Sequence, residues 1–228
     1  MSPGPVLRRL ARALLGLVLG LLLLASALVV LARFLDPPAT PLMLLRRLEG
    51  RGIDYRPVAL ERVAPALRRA VIAAEDNRFC VHAGFDLPAL RAELDRAVAG
   101  ERPRGASTIT QQTAKNLLLW PARDPLRKLL EAWLAPQLEL VLGKRRILEL
   151  YLNIVEFGPG VYGAEAAARH WFRKSATALS EREAAALAAI LPAPLLRDPT
   201  RRTPAQEHRI RTILVRLRQL GPLLDCAG

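Results

Sequence analysis

The chain has 228 residues, enough for one domain of good size and an appendage, and 51% of them are hydrophobic. Its formal net charge of +13 raises nucleic acid as a partner, but the basic residues are scattered rather than clustered, so no nucleic-acid partner is expected. The charge instead suits anionic lipid head groups or a phosphorylated lipid. The two cysteines, Cys80 and Cys226, are too few and too far apart to predict a disulfide framework or a zinc site.

A long apolar run lies near the N-terminus. Residues 13–32 carry no charge and are rich in Leu, Val and Ala, and their number suffices to cross a bilayer. Three arginines within residues 1–12 precede this run, so we expect a cytoplasmic tail over 1–12 and the remaining chain outside. A cleaved signal peptide is the alternative, because residues 25–27 resemble a processing site, but such peptides usually have a shorter apolar core. We therefore expect an uncleaved transmembrane anchor over residues 13–32.

A linker and juxtamembrane segment over residues 33–56 is expected to join the anchor to a single domain over residues 57–228. Residues 36–41 are proline-rich and therefore stiff. The apolar run 42–45 fits either core packing or the membrane interface, and core packing is the expectation. In the domain no run of alternating apolar and polar residues predicts strands, whereas helical patterns recur. The expected fold class is mainly α.

The helix that ends at Glu75 organises the domain. Apolar residues recur at helical spacing between Val63 and Ala74, which places Glu75 at the C-terminal end of a buried helix. The negative end of the helix dipole and burial both raise the pKa of a carboxyl group, which favours a general base. Asp76 and His82 follow in the same polar stretch. A solvated helix end remains the alternative on these residues alone.

A second polar stretch follows a charged, weakly amphipathic segment over residues 87–104, which is expected to be mobile. Thr108 and Gln111 form a capping box that predicts a helix start just after Ser107. The helix then presents one polar face, made of Thr108, Gln111, Gln112 and Lys115. Hydroxyls, amides and an ammonium at a helix N-terminus suit a sugar that carries a phosphate, although a polar helix face is more often only solvated.

The next helix carries a carboxylate between two cations. An Asp-Pro pair predicts its start at residue 125. Arg127 and Lys128 lie four and three residues before Glu131, so both cations flank the acid and hold it ionised. An ordinary surface salt bridge, worth little energy, is the alternative.

The rest of the chain predicts further helices. Pro136 should kink the helix that starts at residue 125, and Gly143 should end it. Helices are then expected over residues 144–155, 161–172 and 181–191 and from residue 204 onward, with a turn over 157–160. Arg209 lies in the last helix and is expected to be a solvated surface cation.

Five motifs occur in order along the chain. The first is Glu75, Asp76, Phe79, His82 and Gly84, and the others cover residues 105–116, 127–131, 147–153 and 159–167. Together they resemble the glycosyltransferase domain of the penicillin-binding proteins, and most closely its stand-alone form, the monofunctional biosynthetic peptidoglycan transglycosylases. Any one motif would be weak evidence, but five in order are strong. Cys80 departs from the family pattern, because bulkier residues are common at that position.

The resemblance implies a lysozyme-like helical fold that acts on lipid II, the undecaprenyl-pyrophosphoryl disaccharide-peptide. The reaction joins the sugar of one molecule to another with inversion and releases undecaprenyl pyrophosphate. The implied catalytic residues are Glu75, as the base for the acceptor 4-hydroxyl, and Glu131, which positions cations or a divalent ion. The implied substrate-binding residues are Asp76, His82, Ser107, Thr108, Gln111, Gln112, Lys115, Asn116, Arg123, Arg127 and Lys128.

The resemblance also implies the setting of the reaction. The protein would be a single-pass protein of the bacterial inner membrane with its domain in the periplasm. Lipid II, the growing glycan strand and the membrane would be its partners, together with cell-wall synthesis or division proteins. No cofactor is expected to be required, although a divalent cation, Mg²⁺ or Mn²⁺, is compatible with the scheme.

Two rival functions stay open at this point. A lytic transglycosylase or lysozyme-like hydrolase would share the fold and need one catalytic Glu, but the Lys and Arg residues would then have no purpose. A catalytically silent, membrane-anchored partner of the division or elongation machinery is disfavoured by the presence of both Glu75 and Glu131. The transpeptidase motifs Ser-x-x-Lys and Lys-Thr-Gly do not occur in the sequence, so glycan polymerisation without peptide cross-linking is expected.

Overall fold

A computed structural model describes residues 5–101, 105–122, 124–201 and 203–227. Nine α-helices lie within these ranges, which confirms the expected mainly helical fold class. They are α1 (Pro5–Ala32), α2 (Pro41–Leu48), α3 (Pro65–Glu75), α4 (Leu87–Val98), α5 (Ile109–Leu118), α6 (Pro125–Ile154), α7 (Ala164–Phe172), α8 (Glu181–Ile190) and α9 (Pro204–Leu220). Short 3₁₀ turns cover Leu60–Arg62, Ala176–Ala178 and Gly221–Ala227.

Local sequence signals set most of the helix starts. The Asp124 side chain accepts a hydrogen bond from the backbone of Arg127 and so caps α6, as the Asp-Pro pair predicts. Capping boxes, in which the first and fourth residues bond each other's backbone N–H, open three helices at Thr108/Gln111, Ser180/Glu183 and Thr203/Gln206. Each box satisfies N–H groups that the helix itself leaves unbonded.

The long helix α6 bends at Gly143. The backbone there has φ 71° and ψ 166°, values that glycine adopts without the steric cost that a side chain would bring. The predicted end and restart of the helix at this position is confirmed. The half after the bend is the more deeply buried, since Ile147, Leu148 and Tyr151 are fully inaccessible to solvent.

The centre of the fold is a group of mutually packed helices, α3, α8 and α9. Residues 184–190 of α8 are all buried, and their small alanine side chains allow the two neighbouring helices to approach closely. The helices α5 and α6 pack extensively against each other beside this group. The C-terminal end of α3 therefore meets both α5 and α9.

Three short strands form a small sheet that the sequence did not predict. Strands β1 (Asp54–Tyr55), β2 (Glu156–Gly158) and β3 (Val161–Tyr162) lie in the order β1-β3-β2, with β1 parallel and β2 antiparallel to β3. Strands of two or three residues are too short to show an alternating pattern, so the sequence carried no signal for them. The pairing of β1 with β3 ties the segment before α3 to the rest of the domain.

Helix α4 occupies most of the charged segment that was expected to be mobile. Pro88 lies in its first turn, and the Asp86 side chain accepts a hydrogen bond from the Ala89 backbone at 3.1 Å. No residue of α4 is fully buried, which agrees with the weak amphipathic pattern of the segment. Residues 102–104 lie outside the described ranges.

A disulfide bond joins Cys80, in the loop after α3, to Cys226, in the 3₁₀ turn after α9. The Cα atoms are 5.5 Å apart although 146 positions separate the two residues in sequence. Two cysteines are too few for a disulfide framework, but their separation in sequence does not prevent a single bond, because the fold returns the 3₁₀ turn after α9 to the loop after α3. The bond covalently joins the 3₁₀ turn after α9 to the loop after Glu75.

Helix α1 is long and apolar enough to cross a membrane between Arg8 and Ala32, judged by length and composition. The end of α1 also contacts the domain. Ser26 Oγ donates a hydrogen bond to Gln137 Oε1 on α6 at 2.9 Å, and Arg146 Nε donates to the Ala32 carbonyl at 2.9 Å. A salt bridge of 2.9 Å between Arg146 and Asp36 continues this contact. The anchor helix is therefore docked on α6 rather than joined only by a linker.

Candidate active site

Glu75 is the last residue of α3, and its side chain is only 13% exposed. Gln112 Nε2 donates a hydrogen bond to Glu75 Oε2 at 3.1 Å, and Arg209 Nη2 lies 3.4 Å from Glu75 Oε1. Burial raises the pKa of Glu75, while the Gln112 hydrogen bond and the charges of Arg209 and Lys115 oppose it, and the net pKa lies above its ordinary value. A carboxylate with a raised pKa at the edge of a cavity is equipped to accept a proton.

Gln112 is itself held in place by Tyr151. The Tyr151 hydroxyl donates to Gln112 Oε1 at 3.0 Å, so the amide nitrogen of Gln112 faces Glu75. Tyr151 is fully buried, and burial raises its pKa well above the usual value, which keeps the hydroxyl protonated and able to donate. A chain of hydrogen bonds thus runs from α6 through α5 to the carboxylate at the end of α3.

Asp76 and His82 connect the loop after α3 to the start of α5. His82 Nε2 lies 3.0 Å from both oxygens of Asp76, and the Ile109 backbone N–H donates to Asp76 Oδ2 at 2.9 Å. His82 Nδ1 accepts from the Gly84 backbone at 3.2 Å, so Nε2 carries the ring proton. These contacts place the N-terminal end of α5 directly beside Glu75.

The side chains of Thr108 and Gln111 form hydrogen bonds to backbone groups of the protein. Thr108 Oγ1 donates to the Gly84 carbonyl at 2.7 Å and accepts from the Gln111 backbone, and Gln111 Oε1 accepts from the Thr108 backbone at 3.1 Å. Gly84 has φ +91°, a conformation that favours glycine, and its carbonyl can reach Thr108 because of it. Both polar side chains are buried, as is Asn116 one turn further on.

Glu131 lies in a buried ion-pair cluster with Arg127 and Lys128. Its Oε1 is paired with Arg127, which also donates to the Ala122 carbonyl, and its Oε2 is 2.8 Å from Lys128 Nζ. The Glu131 and Arg127 side chains are 3% and 11% exposed, so this pair is not the surface salt bridge left open by the sequence. The Lys128 side chain is half exposed, and its Nζ atom lies 3.4 Å from Ser107 Oγ. Arg123 lies outside the described residues.

Lys115 links the two groups electrostatically. It lies on α5 one turn after Gln112, and its charge lowers the pKa of Glu75. Burial is the main cause that lowers the pKa of Lys128, and the nearby charges of Arg127 and Lys115 add to it. Lys115 therefore lies within electrostatic range of both the Glu75 carboxylate and the Lys128 ammonium.

Two cavities meet beside these residues. The larger, of about 540 Å³, is lined by Glu75 and Asp76 at the end of α3, by α4 and by Arg209 and Arg216 of α9. The smaller, of about 280 Å³, is lined by Lys128 and Gln111. Residues 105–107 border both cavities. Glu75 and the Lys128 ammonium thus face neighbouring parts of one cleft, on either side of the 105–107 segment.

A protein-family model described as Transglycosylase matches residues 43–218, which is well over half of the chain. The chain belongs to the transglycosylase family.

Curated relatives in this family match the chain over most of its length. The chain is 51% identical over 194 residues to a biosynthetic peptidoglycan transglycosylase of Caulobacter vibrioides, covering 84% of each chain. It is 48% identical over 206 residues to the protein of the same name from Rhodospirillum centenum, covering 90% of this chain and 89% of the other. Identity to the Aeromonas hydrophila protein of that name is 47% over 220 residues, covering 95% and 94%.

Within this transglycosylase, the described residues contain no group of three or more His, Cys, Asp or Glu that could hold a metal ion. Each of the Glu131 oxygens is paired with a cation, Arg127 or Lys128.

Two residues of the transglycosylase site were missed from the sequence. Tyr151 is part of the motif over 147–153, and its signal was a phenol between two leucines of that motif. Arg209 was expected to be a solvated cation, and that expectation is wrong, because the residue is half-buried and faces Glu75. Only the packing of α9 against α3 reveals this contact, since 134 positions separate the two residues.

Proposed function

We propose that this protein is a peptidoglycan glycosyltransferase that polymerises lipid II into glycan strands, with inversion and with release of undecaprenyl pyrophosphate. The observation that carries the proposal is the mostly buried Glu75 in a cleft whose other side holds Lys128, with the charge of Lys115 acting on both residues. Transfer of a sugar from a pyrophosphate needs a base for the incoming hydroxyl and cations for the departing group. The cleft offers both.

Glu75 serves as the general base. As the acceptor's 4-hydroxyl oxygen forms a bond to the donor's anomeric carbon, its proton passes to Glu75 and the bond from carbon to the pyrophosphate oxygen breaks. The electron pair of that bond leaves with the pyrophosphate. Gln112 donates to Oε2 at 3.1 Å and Arg209 donates to Oε1 at a longer 3.4 Å, so we assign the proton to Oε1, the more weakly bonded oxygen.

The cations stabilise the charge that grows on the leaving pyrophosphate. Lys128 lines the cleft, and Lys115 of α5 and Arg123 are proposed to join it at the pyrophosphate when substrate binds. Arg127 and Glu131 hold Lys128 in place through the buried ion-pair cluster. A pyrophosphate is already a good leaving group, so Glu131 acts by positioning cations rather than as an acid.

The other candidate substrate-binding residues fall into two groups. Ser107, between the two cavities and beside Lys128 Nζ, is proposed to contact the substrate directly. The remaining residues, whose polar atoms hold the loop after α3 or the start of α5, are proposed to shape the cleft wall: Asp76, His82, Thr108, Gln111 and Asn116.

No cofactor is proposed to be required, because side-chain cations supply positive charge at the leaving group. A divalent ion such as Mg²⁺ or Mn²⁺ would be held mainly by the pyrophosphate of the substrate, since both Glu131 oxygens are paired. Polymerisation of lipid II in the presence and absence of a chelator tests this point. Retention of at least half of the activity with chelator is the expected result.

The proposed location is the bacterial inner membrane, with α1 as a single-pass anchor and the domain in the periplasm. Three arginines precede the apolar part of α1, which favours a cytoplasmic N-terminus. The Cys80–Cys226 disulfide independently favours the periplasmic side, because such bonds persist in oxidising compartments. Cell-wall synthesis and division proteins stay predicted partners, on the resemblance alone.

Labelled lipid II, supplied alone to the purified full-length protein, tests the function. The wild type is expected to form long glycan without peptide cross-links, and Glu75→Gln is expected to lose more than about a hundredfold of that rate. A hydrolase would instead cut pre-made glycan, and a silent partner would do neither. Polymerisation by a folded Glu75→Gln variant within tenfold of wild type would rule out the base.

A further inference from the structure

Arg209 brings a positive charge to the catalytic carboxylate from the far end of the chain. It lies on α9, and its Nη2 atom is 3.4 Å from Glu75 Oε1. Helix α9 is fixed at this place by its packing on α3 and α8 and by Arg216, which donates to the Ala73 carbonyl at 3.2 Å. The approach of Arg209 to Glu75 is therefore built into the core rather than left to a loop.

The surroundings of Arg209 disfavour a cation. Its Nε atom is inaccessible to solvent and makes no hydrogen bond to the described residues. Burial is the main cause that lowers the pKa of Arg209, and the like charges of Arg197 and Arg216 lower it further. Glu75 is the group that favours its charge. An arginine held at such a cost beside the reacting carboxylate points to a role at that carboxylate.

We propose that Arg209 is a positioning residue that keeps Glu75 ionised and aims its Oε1 atom into the cleft. This inference rests on the proposed role of Glu75 as the base. The other charged or titratable groups that act on Glu75 are Lys115 of α5, Asp76 in the following loop and Tyr151 of α6. Arg209 contacts Oε1, the oxygen to which we assign the incoming proton.

The contact is also weak enough to be compatible with catalysis. A single long hydrogen bond of 3.4 Å from a partly exposed guanidinium stabilises the ionised carboxylate while engaging one lone pair of Oε1, whereas a short bidentate pair would engage both oxygens. Burial makes Glu75 a stronger base, and Arg209 prevents that burial from leaving it protonated at working pH. The two opposing effects together set the pH at which the enzyme begins to work.

The test is the pH profile of kcat/KM with lipid II for the full-length, membrane-anchored protein. Arg209→Gln and Arg209→Met both remove the charge, and Met keeps the apolar stem. Either variant is expected to move the acid limb to higher pH, with a loss of about tenfold or more at low pH that recovers as pH rises. Arg209→Lys is expected to restore most of the wild-type limb.

Arg211→Gln is the matched control, since Arg211 lies on the same helix, is 74% exposed and faces Glu207 instead. Its acid limb should coincide with that of the wild type. An unshifted limb in the neutral Arg209 variants, an equal loss at every pH, or unfolding of both variants would overturn the proposal. If Glu75 is not the general base, the Glu75→Gln variant will remain active. That result is distinct from any result of the Arg209 variants, so the two proposals can fail independently.

Discussion

Tyr151 is linked to Glu75 through the side-chain amide of Gln112. The two hydrogen bonds, of 3.0 and 3.1 Å, run from a fully buried phenol on α6 to the carboxylate at the end of α3. An amide can present either its oxygen or its nitrogen to a neighbour, and the Tyr151 hydroxyl selects the arrangement in which nitrogen faces Glu75. A residue that never touches the carboxylate thereby fixes the carboxylate's orientation.

Removing the Tyr151 hydroxyl should lower turnover while leaving the fold intact. Tyr151→Phe loses one hydrogen bond, worth about 0.5–1.5 kcal/mol, so we expect kcat to fall by roughly threefold to tenfold. Tyr162→Phe is the control, since that buried phenol faces Glu156 in the small sheet. Turnover on lipid II and thermal melting of both variants give the comparison. Equal kcat in the two variants would contradict the role assigned to Tyr151.

The raised pKa of Glu75 should carry a cost in stability. A carboxyl group whose pKa is higher in the folded than in the unfolded state favours folding below its unfolded pKa, and that advantage is lost as pH rises through the folded value. Glu75→Gln stays neutral at every pH. We therefore expect it to melt higher than wild type at pH 7–8 and close to wild type near pH 4. A difference that is constant with pH, or of opposite sign, would contradict the desolvation of Glu75.

Loss of Lys115 should lower turnover, whereas loss of Arg127 should lower the stability of the fold. Lys115→Ala is expected to lower turnover by about a hundredfold with little change in melting temperature, because its charge acts on the leaving group. Arg127→Ala leaves Glu131 buried with one partner and should cost roughly 3–5 kcal/mol of stability.

Lys174→Ala provides the control for both, since Lys174 pairs with Glu183 in the cap of α8. Melting temperature and lipid II turnover are measured on all three variants. A Lys115→Ala variant that is as active as Lys174→Ala, or an Arg127→Ala variant of wild-type stability, would contradict the respective assignment.

The disulfide should stabilise the domain without taking part in the chemistry. Closing a loop of 146 positions restricts the unfolded chain, and loss of such a bond typically costs about 2–5 kcal/mol. Replacing both Cys80 and Cys226 by serine should lower the melting temperature and preserve turnover at low temperature. Reductant should destabilise the wild type and leave the double variant unchanged. If reductant does not change the melting temperature of the wild type, the structural role assigned to the bond is contradicted.

Local signals in the sequence were sufficient for most helices. The Asp-Pro start of α6, the capping boxes and the bend at Gly143 each depend on residues within one turn, so spacing alone reveals them. The expected position of Glu75 at a buried helix end is confirmed for the same reason. The small sheet was missed because each of its strands has only two or three residues.

Contacts between distant segments were not predictable in the same way. Arg209 and Glu75, like Cys80 and Cys226, meet only because α9 returns to the end of α3. Sequence distance says nothing about such pairs, and the apolar face of α9 shows that the helix packs but not on which partner. The sequence also did not predict which polar residues of α5 are structural and which contact Glu75. Thr108 caps the helix, whereas Gln112 on the same face donates a hydrogen bond to Glu75.

The docking of α1 on α6 determines how far the reaction centre stands from the bilayer. In the proposed topology, Ser26 and Ala32 belong to the membrane anchor, and their partners Gln137 and Arg146 lie on the helix that also carries Glu131. Contacts on both sides of the Gly143 bend, instead of a flexible tether, then set the height of the cleft above the lipid head groups. The Arg146–Asp36 salt bridge extends this contact beyond α1, so in the proposed topology the cleft stays close to the membrane surface, where a lipid-linked substrate is presented.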